Sequence, residues 1–140
     1  MAAFQKFNDF SEELLRGTHD FAGDTFKLML TTNTPGPADA VKADITEIAA
    51  GNGYPAGGQV LAVTLTRVSG SGVSKVTVAD EVFTAAGGTM ATFRYGVIYN
   101  DTAGSKNLVG WFDHSTGVSL ADGETFTADF DATNGLFTLA

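Results

Sequence analysis

The chain has 140 residues, enough for one domain that removes roughly two-thirds of its unfolded surface from water, and it has no cysteine, which excludes disulfides, thiolate metal sites and a cysteine nucleophile. Eight Lys and Arg against sixteen Asp and Glu give a formal charge of -8, with no short window concentrating the basic side chains, so a phosphate backbone would be repelled and nucleic acid is not expected as a partner. No window approaches the ~20 apolar residues of a membrane span, and the opening MAAFQKFNDF has no continuous apolar run, so we expect no membrane partner and folding in the cytosol.

The stretch FQKFNDFSEELLRGTHDF places Phe7, Phe10, Leu14 and Leu15 on one face of a helix. Asn8 or Asp9 can cap its start, Glu12 and Glu13 suit the first turn, and the end falls at Gly17 or one turn later near Asp20. From DTFKLMLTT onward the period drops to two, with Phe26, Leu28 and Leu30 alternating against Lys27 and Met29 as in a strand with one buried face. TNTPGPAD must then be a loop, because Pro35 and Pro37 cannot join a ladder, and ADITEIAA can form one helical turn.

Short strands follow. QVLAVTLTRV is apolar on both faces near its middle, as expected of a central strand, and VSKVTV and DEVFTA come next. ATFRYGVIYN sets Phe93, Tyr95, Val97 and Tyr99 on one face against Arg94, Gly96 and Ile98 on the other, and NLVGWFDH, GVSL, ETFTADFD and GLFTLA complete the series. Asn100-Asp101, Asp122-Gly123 and Asn134-Gly135 punctuate it, the last two as hairpin signals. High Gly, Thr, Val and Phe with few charges supports the same reading. The expected fold is all-β, a jelly roll or β-sandwich of about eight short antiparallel strands with one short N-terminal amphipathic helix. Residues 1–22 form a helical arm on or beside the sandwich, residues 23–140 the sandwich itself, one domain overall.

Gly51, Gly53, Gly57 and Gly58 in ADITEIAAGNGYPAGG raise the question of a phosphate cradle. A P-loop needs a lysine and a hydroxyl directly after its last glycine, and the dinucleotide version needs a helix there. Gln59 and a β-branched strand follow instead, so the loop reads as a tight rim turn anchored by Tyr54, with protein contact as the other use. His19 and His114 are the only imidazoles, too few for zinc. A triad with Ser115 or Ser119 lacks the strand-to-helix elbow, and DHSTG has the makeup of a turn. Asp129 and Asp131 share one strand phase near Asp122 and Glu124, as calcium ligands or glycosidase carboxylates would, but Phe126, Ala128 and Phe130 on the other phase give the plainer reading of acids facing water.

Among the eleven Phe, three Tyr and one Trp, many lie on inward strand phases, whereas Phe4, Phe7 and Phe10 precede the first strand. They either cover an open end of the sheet pair or bury against another polypeptide.

Taken together, ADITEIAAGNGYPAGG, FRYGVIYNDTAG, LVGWFDH, LADGETFTADFDATNGLFTLA and the N-terminal pattern span nearly the whole chain and resemble the small cement, or decoration, proteins of tailed-bacteriophage capsids. The resemblance implies a jelly-roll virion protein, made in the host cytoplasm, that attaches to the outside of the shell as a homodimer and bridges major capsid protein subunits. It implies no catalytic residue, cofactor, metal or small-molecule substrate. The expected interface comprises Phe4, Phe7, Phe10, Leu14, Leu15, Pro35, Pro37 and Tyr54. A second reading is a carbohydrate- or receptor-binding sandwich in which Trp111, Tyr54 or Tyr99 stacks on a sugar ring, with a variant that places the fold in the tail or head-tail joint. A third is a hydrolase using Asp129, Asp131 or Glu124.

Overall fold

The computed structural model describes residues 3–140, in which strands are the main regular structure. In chain order the elements are β1 (Gln5–Lys6), α1 (Phe10–Leu15), β2 (Phe26–Thr31), a single 3-10 turn (Lys42–Asp44), β3 (Gln59–Val60), β4 (Val63–Arg67), β5 (Ser74–Val78), β6 (Glu81–Thr84), β7 (Phe93–Asn100), β8 (Leu108–Val118), β9 (Thr125–Ala128) and β10 (Phe137–Leu139). They form a five-stranded sheet ordered β1-β8-β7-β2-β3, a three-stranded sheet β10-β5-β4 and a two-stranded sheet β6-β9. Every ladder is antiparallel, as the all-β expectation requires.

Two cores follow from the alternation of β2, the strand between β7 and β3. Phe26, Leu28 and Leu30 point to one side, where they pack with Val76 and Val78 of β5, Phe83 of β6 and Phe130, so all three sheets share this core. Met29 points to the other side, into a second core of Phe7, Tyr95, Val97, Tyr99, Leu108 and Trp111 that Ile45 helps to cover. The large sheet is therefore buried on both faces, which explains why β2 has no exposed residue.

The helix is shorter than its apolar spacing predicts. It spans six residues, Asp9 stands at its start without a side-chain cap bond, and Gly17 ends it at φ +82°. There the Gly17 N–H donates to the Leu14 carbonyl at 3.2 Å and the Thr18 N–H to that of Glu13 at 2.9 Å, the double bond of a left-handed C-terminal cap. Phe7 lies before the helix, directly after β1, and enters the second core, while Phe10 enters the first.

QVLAVTLTRV is not one central strand. Gln59–Val60 joins the large sheet, the chain bends at Leu61 and Ala62, and Val63–Arg67 joins the small sheet as an edge, leaving Leu65 46% exposed. The corner is held by the Leu61 N–H on the Phe26 carbonyl and the Ala79 N–H on the Ala62 carbonyl, so one apolar run serves two layers. The predicted hairpin pairs also act differently. Asp122-Gly123 makes a tight turn into β9, whose partner is β6, and Asn134-Gly135 precedes β10, whose partner is β5. The Asn-Gly pair that closes a two-residue turn is Asn52-Gly53, with φ of +52° and +94° and reciprocal backbone bonds between Gly51 and Tyr54.

Candidate functional site

The glycine loop packs closely on two neighbouring segments. A Cβ on Gly53 would lie 2.0 Å from the Thr84 carbonyl oxygen, and one on Gly58 2.0 Å from that of Leu28. The glycines allow backbone to pack on backbone. Below them Tyr54 is buried, its hydroxyl donating to Glu47 Oε1 at 2.7 Å and accepting from the Leu30 N–H at 3.1 Å. The same Glu47 oxygen accepts from the Gly57 N–H at 2.6 Å, and the Tyr99 hydroxyl donates to the Gly57 carbonyl at 2.7 Å. The loop is a structural corner with its amides turned onto the chain itself.

A cavity with catalytic side-chain types at its rim arises from an irregularity between β7 and β8. Phe93 pairs with Val118 and Tyr95 with Asp113, so His114–Gly117 stand opposite Arg94 alone and bulge from the ladder. Ser115 takes φ +76° at the apex. Asp113 closes the bulge: its Oδ1 accepts from the Ser115 N–H at 2.7 Å and from Arg94 Nε at 2.8 Å, and its Oδ2 accepts from Arg94 Nη2 at 3.0 Å. The Arg94 guanidinium and the Ser115 amide hold the Asp113 carboxyl below the usual carboxylate range. The bulge also reverses the expected phase of Phe93, which faces the first core while Tyr95, Val97 and Tyr99 face the second.

Between this bulge and β9 lies a cavity of about 420 Å³. Leu28, Leu30 and Gly96 form its floor, Phe93, Phe112, Phe126 and Phe130 its walls, and Arg94, Asp113, His114, Ser115 and Asp129 lie toward its rim. The phenyl rings meet edge to face, Phe93 on Phe126 at 5.0 Å and Phe112 on Phe130 at 5.4 Å, and the exposed His114 ring meets Phe126 at 5.2 Å. Three side chains singled out from the sequence thus share one recess. Among the described residues, no hydrogen bond joins His114 to Ser115 or Asp129; the Ser115 N–H donates to Asp113 instead.

The remaining candidates are dispersed. His19 is buried among Phe10, Phe21 and Phe26, its Nδ1 against Asn100 Nδ2 at 3.3 Å and its Nε2 without a partner, and burial holds its pKa below the ordinary value. Asp122, Glu124 and Asp131 accept backbone amides in turns, from Gly87, from Ala121, and from Thr133 and Asn134 respectively. Asp131 in addition accepts from Asn134 Nδ2, and these bonds lower its pKa. Among the described residues, no group of three or more His, Asp or Glu converges on a metal position.

Several expected interface residues are consumed by the fold. Phe7, Phe10 and Tyr54 are buried in the two cores, Pro35 is buried, and Phe4 and Leu14 pack half-buried on the first core. Of the two uses open to the N-terminal aromatics, covering the sheets accounts for Phe7 and Phe10. Leu15, 85% exposed, and Pro37 remain at the surface, the Pro37 carbonyl accepting from the Asn8 N–H at 2.8 Å. The rings suggested for sugar stacking are likewise interior, with Trp111, Tyr54 and Tyr99 each no more than 7% exposed. Sequence reasoning missed the cavity. Its signals were Gly96, which interrupts an otherwise filled strand, and the DHSTG bulge.

No protein-family model, curated protein or solved structure matches the chain.

Proposed function

We propose that the protein is a structural virion component that binds the outside of a phage capsid and stabilises it by bridging major capsid protein subunits, acting as a homodimer. The sequence strings named above motivate the capsid. The observation that supports adhesion is β4: an edge strand with one ladder partner, bearing Leu65 46% exposed and followed by Val68 40% exposed. Such an edge leaves a row of N–H and C=O groups open beside apolar side chains, which favours pairing with another polypeptide. Leu139 on β10, the opposite edge of the same sheet, is 55% exposed. Two open edges suit a clamp that touches two neighbours. Repetition on a lattice lets modest contacts hold through avidity, and a bound clamp stabilises whatever state it binds.

The test is its stoichiometry and position in purified virions, followed by heating of particles with and without the protein. The reading requires many copies on the outer shell and a higher temperature of DNA release when they are present. Absence from virions, or attachment with no change in release temperature, would refute it. Leu65→Lys, which places a charge on the open edge, should weaken attachment while the isolated protein keeps its fold.

A further inference from the structure

We propose that the cavity beside the β8 bulge is an anchor pocket for one apolar side chain, aromatic or leucine-sized, on a segment of a partner protein that carries a basic residue next to it. Protein interiors are close-packed, and the voids they do contain are small. This recess of about 420 Å³ instead opens at the surface with a leucine and phenylalanine lining, within the range of roughly 300–1,000 Å³ typical of binding pockets.

Its origin is local. Gly96 supplies no side chain to the inner face of β7, and His114–Gly117 leave the ladder where a regular strand would run. Leu28 lies over Gly96, its Cδ1 3.1 Å from where a Cβ would stand, so Leu28 and not a β7 side chain lines the recess at this point. The rim fixes the charge of the occupant. Arg94 is held in a two-point pair by Asp113, so its charge is compensated. Asp129, exposed on the rim, has no ion pair among the described residues, and it also borders a second recess lined by Asp80 and Asp131. On a chain of formal charge -8 this favours an apolar group flanked by a cation and disfavours one flanked by a carboxylate. The inference rests on the adhesive reading above and adds the chemistry of the partner.

The test uses the full chain, labelled with ¹⁵N, titrated with acetyl-Lys-Phe-Lys-amide, acetyl-Glu-Phe-Glu-amide and acetyl-Lys-Ala-Lys-amide. The first peptide should shift the Gly96 and Ala128 amides saturably, and the other two should bind at least about tenfold more weakly. Ala128→Leu, which fills the recess, should abolish the shifts. Asp129→Lys, on an exposed site, should reverse the preference between the Lys and Glu peptides. Equal binding of the Glu-flanked peptide would make this a pocket for free apolar molecules and overturn the proposal, as would shifts confined elsewhere or an Ala128→Leu protein that binds unchanged. The capsid reading fails separately: absence of the wild-type chain from virions refutes it, while the peptide titration still decides the pocket.

Discussion

Tyr54→Phe isolates one hydroxyl whose role follows from the shortness of β3. That strand pairs with β2 only at Lys27 and Leu28, so further along β2 the Leu30 N–H has no ladder partner on that side. The Tyr54 hydroxyl takes the partner's place, accepting from Leu30 at 3.1 Å and donating to Glu47 at 2.7 Å. Phenylalanine keeps the ring against Phe83, at 6.0 Å between centroids, and removes only those two bonds. Glu47 retains the Gly57 amide and Lys42, whereas the buried Leu30 amide is orphaned. An unsatisfied buried donor costs about 1–3 kcal/mol and a lost bond to a carboxylate adds to it, so we expect a loss of about 2–3 kcal/mol. For a chain of 140 residues this corresponds to a fall in Tm of about 7–10 °C.

Two measurements check the loss. Thermal unfolding by circular dichroism gives the Tm, and native-state hydrogen exchange should show the Leu30 amide losing protection before its neighbours on β2. Burial also pushes the Tyr54 phenol well above its ordinary value of 10.0. A group that holds its proton more tightly when folded contributes stability below the unfolded value and loses it as pH rises above it, so wild type should weaken above about pH 10 and Tyr54→Phe less steeply. A Tm within 2 °C of wild type, with Leu30 still protected, would refute the assignment of the hydroxyl as a substitute ladder partner.

The same geometry yields further expectations. Gly58→Ala, whose Cβ would meet the Leu28 carbonyl at 2.0 Å, should cost more than about 3 kcal/mol and abolish soluble expression, whereas Gly70→Ala, at φ +74° in open space, should cost only about 1 kcal/mol in a urea titration. Burial lowers the His19 pKa against the opposing pull of Glu13 and Asp24, so the folded state refuses a proton that the unfolded state accepts. Its contribution is complete above the ordinary value of 6.5 and is lost as pH falls below it. Urea midpoints at pH 7.5 and 5.5 should differ in wild type, and the difference should shrink in His19→Asn. Leu15→Ser should change stability by less than about 0.5 kcal/mol, because the side chain is 85% exposed; a larger fall in Tm would show that it packs on the chain itself.

What the residues disclosed in advance was pattern, and what they withheld was pairing. Period two marks a strand wherever one face is buried, so β2, β7 and β9 are legible in their alternating apolar side chains. Alternation does not say which strand lies alongside. β2 pairs with β7 across more than sixty residues, and β6 pairs with β9 across more than forty, as global choices that no local turn dictates. That is why Asp122-Gly123 and Asn134-Gly135 looked like hairpins: the chain does turn at each, with only the glycine at positive φ, but the strands after them have partners elsewhere. The helix was overextended for a related reason. Phe7 shares the helical spacing of Phe10 and Leu14, yet it belongs to the end of a strand whose backbone pairs with Trp111 and Gly110.

The cavity escaped notice for a reason that applies to any recess built from bulges. A pocket is a place where the regular pattern fails, and in sequence such a failure looks like a poor strand. Gly96 weakens the inner phase of β7, and His114–Gly117 break β8 just where the two strands would otherwise close over the floor. Asp129 and Asp131 do not share a strand phase as their spacing suggested, because β9 ends at Ala128; Phe126 and Phe130 face the first core, and Asp129, just past the strand end, lies on the rim of the space those rings surround. Side chains that seemed merely outside are therefore beside an opening. The link between them is set by one four-residue excursion from the β8 ladder, so the chemistry of this surface depends on a local irregularity in an otherwise regular sheet.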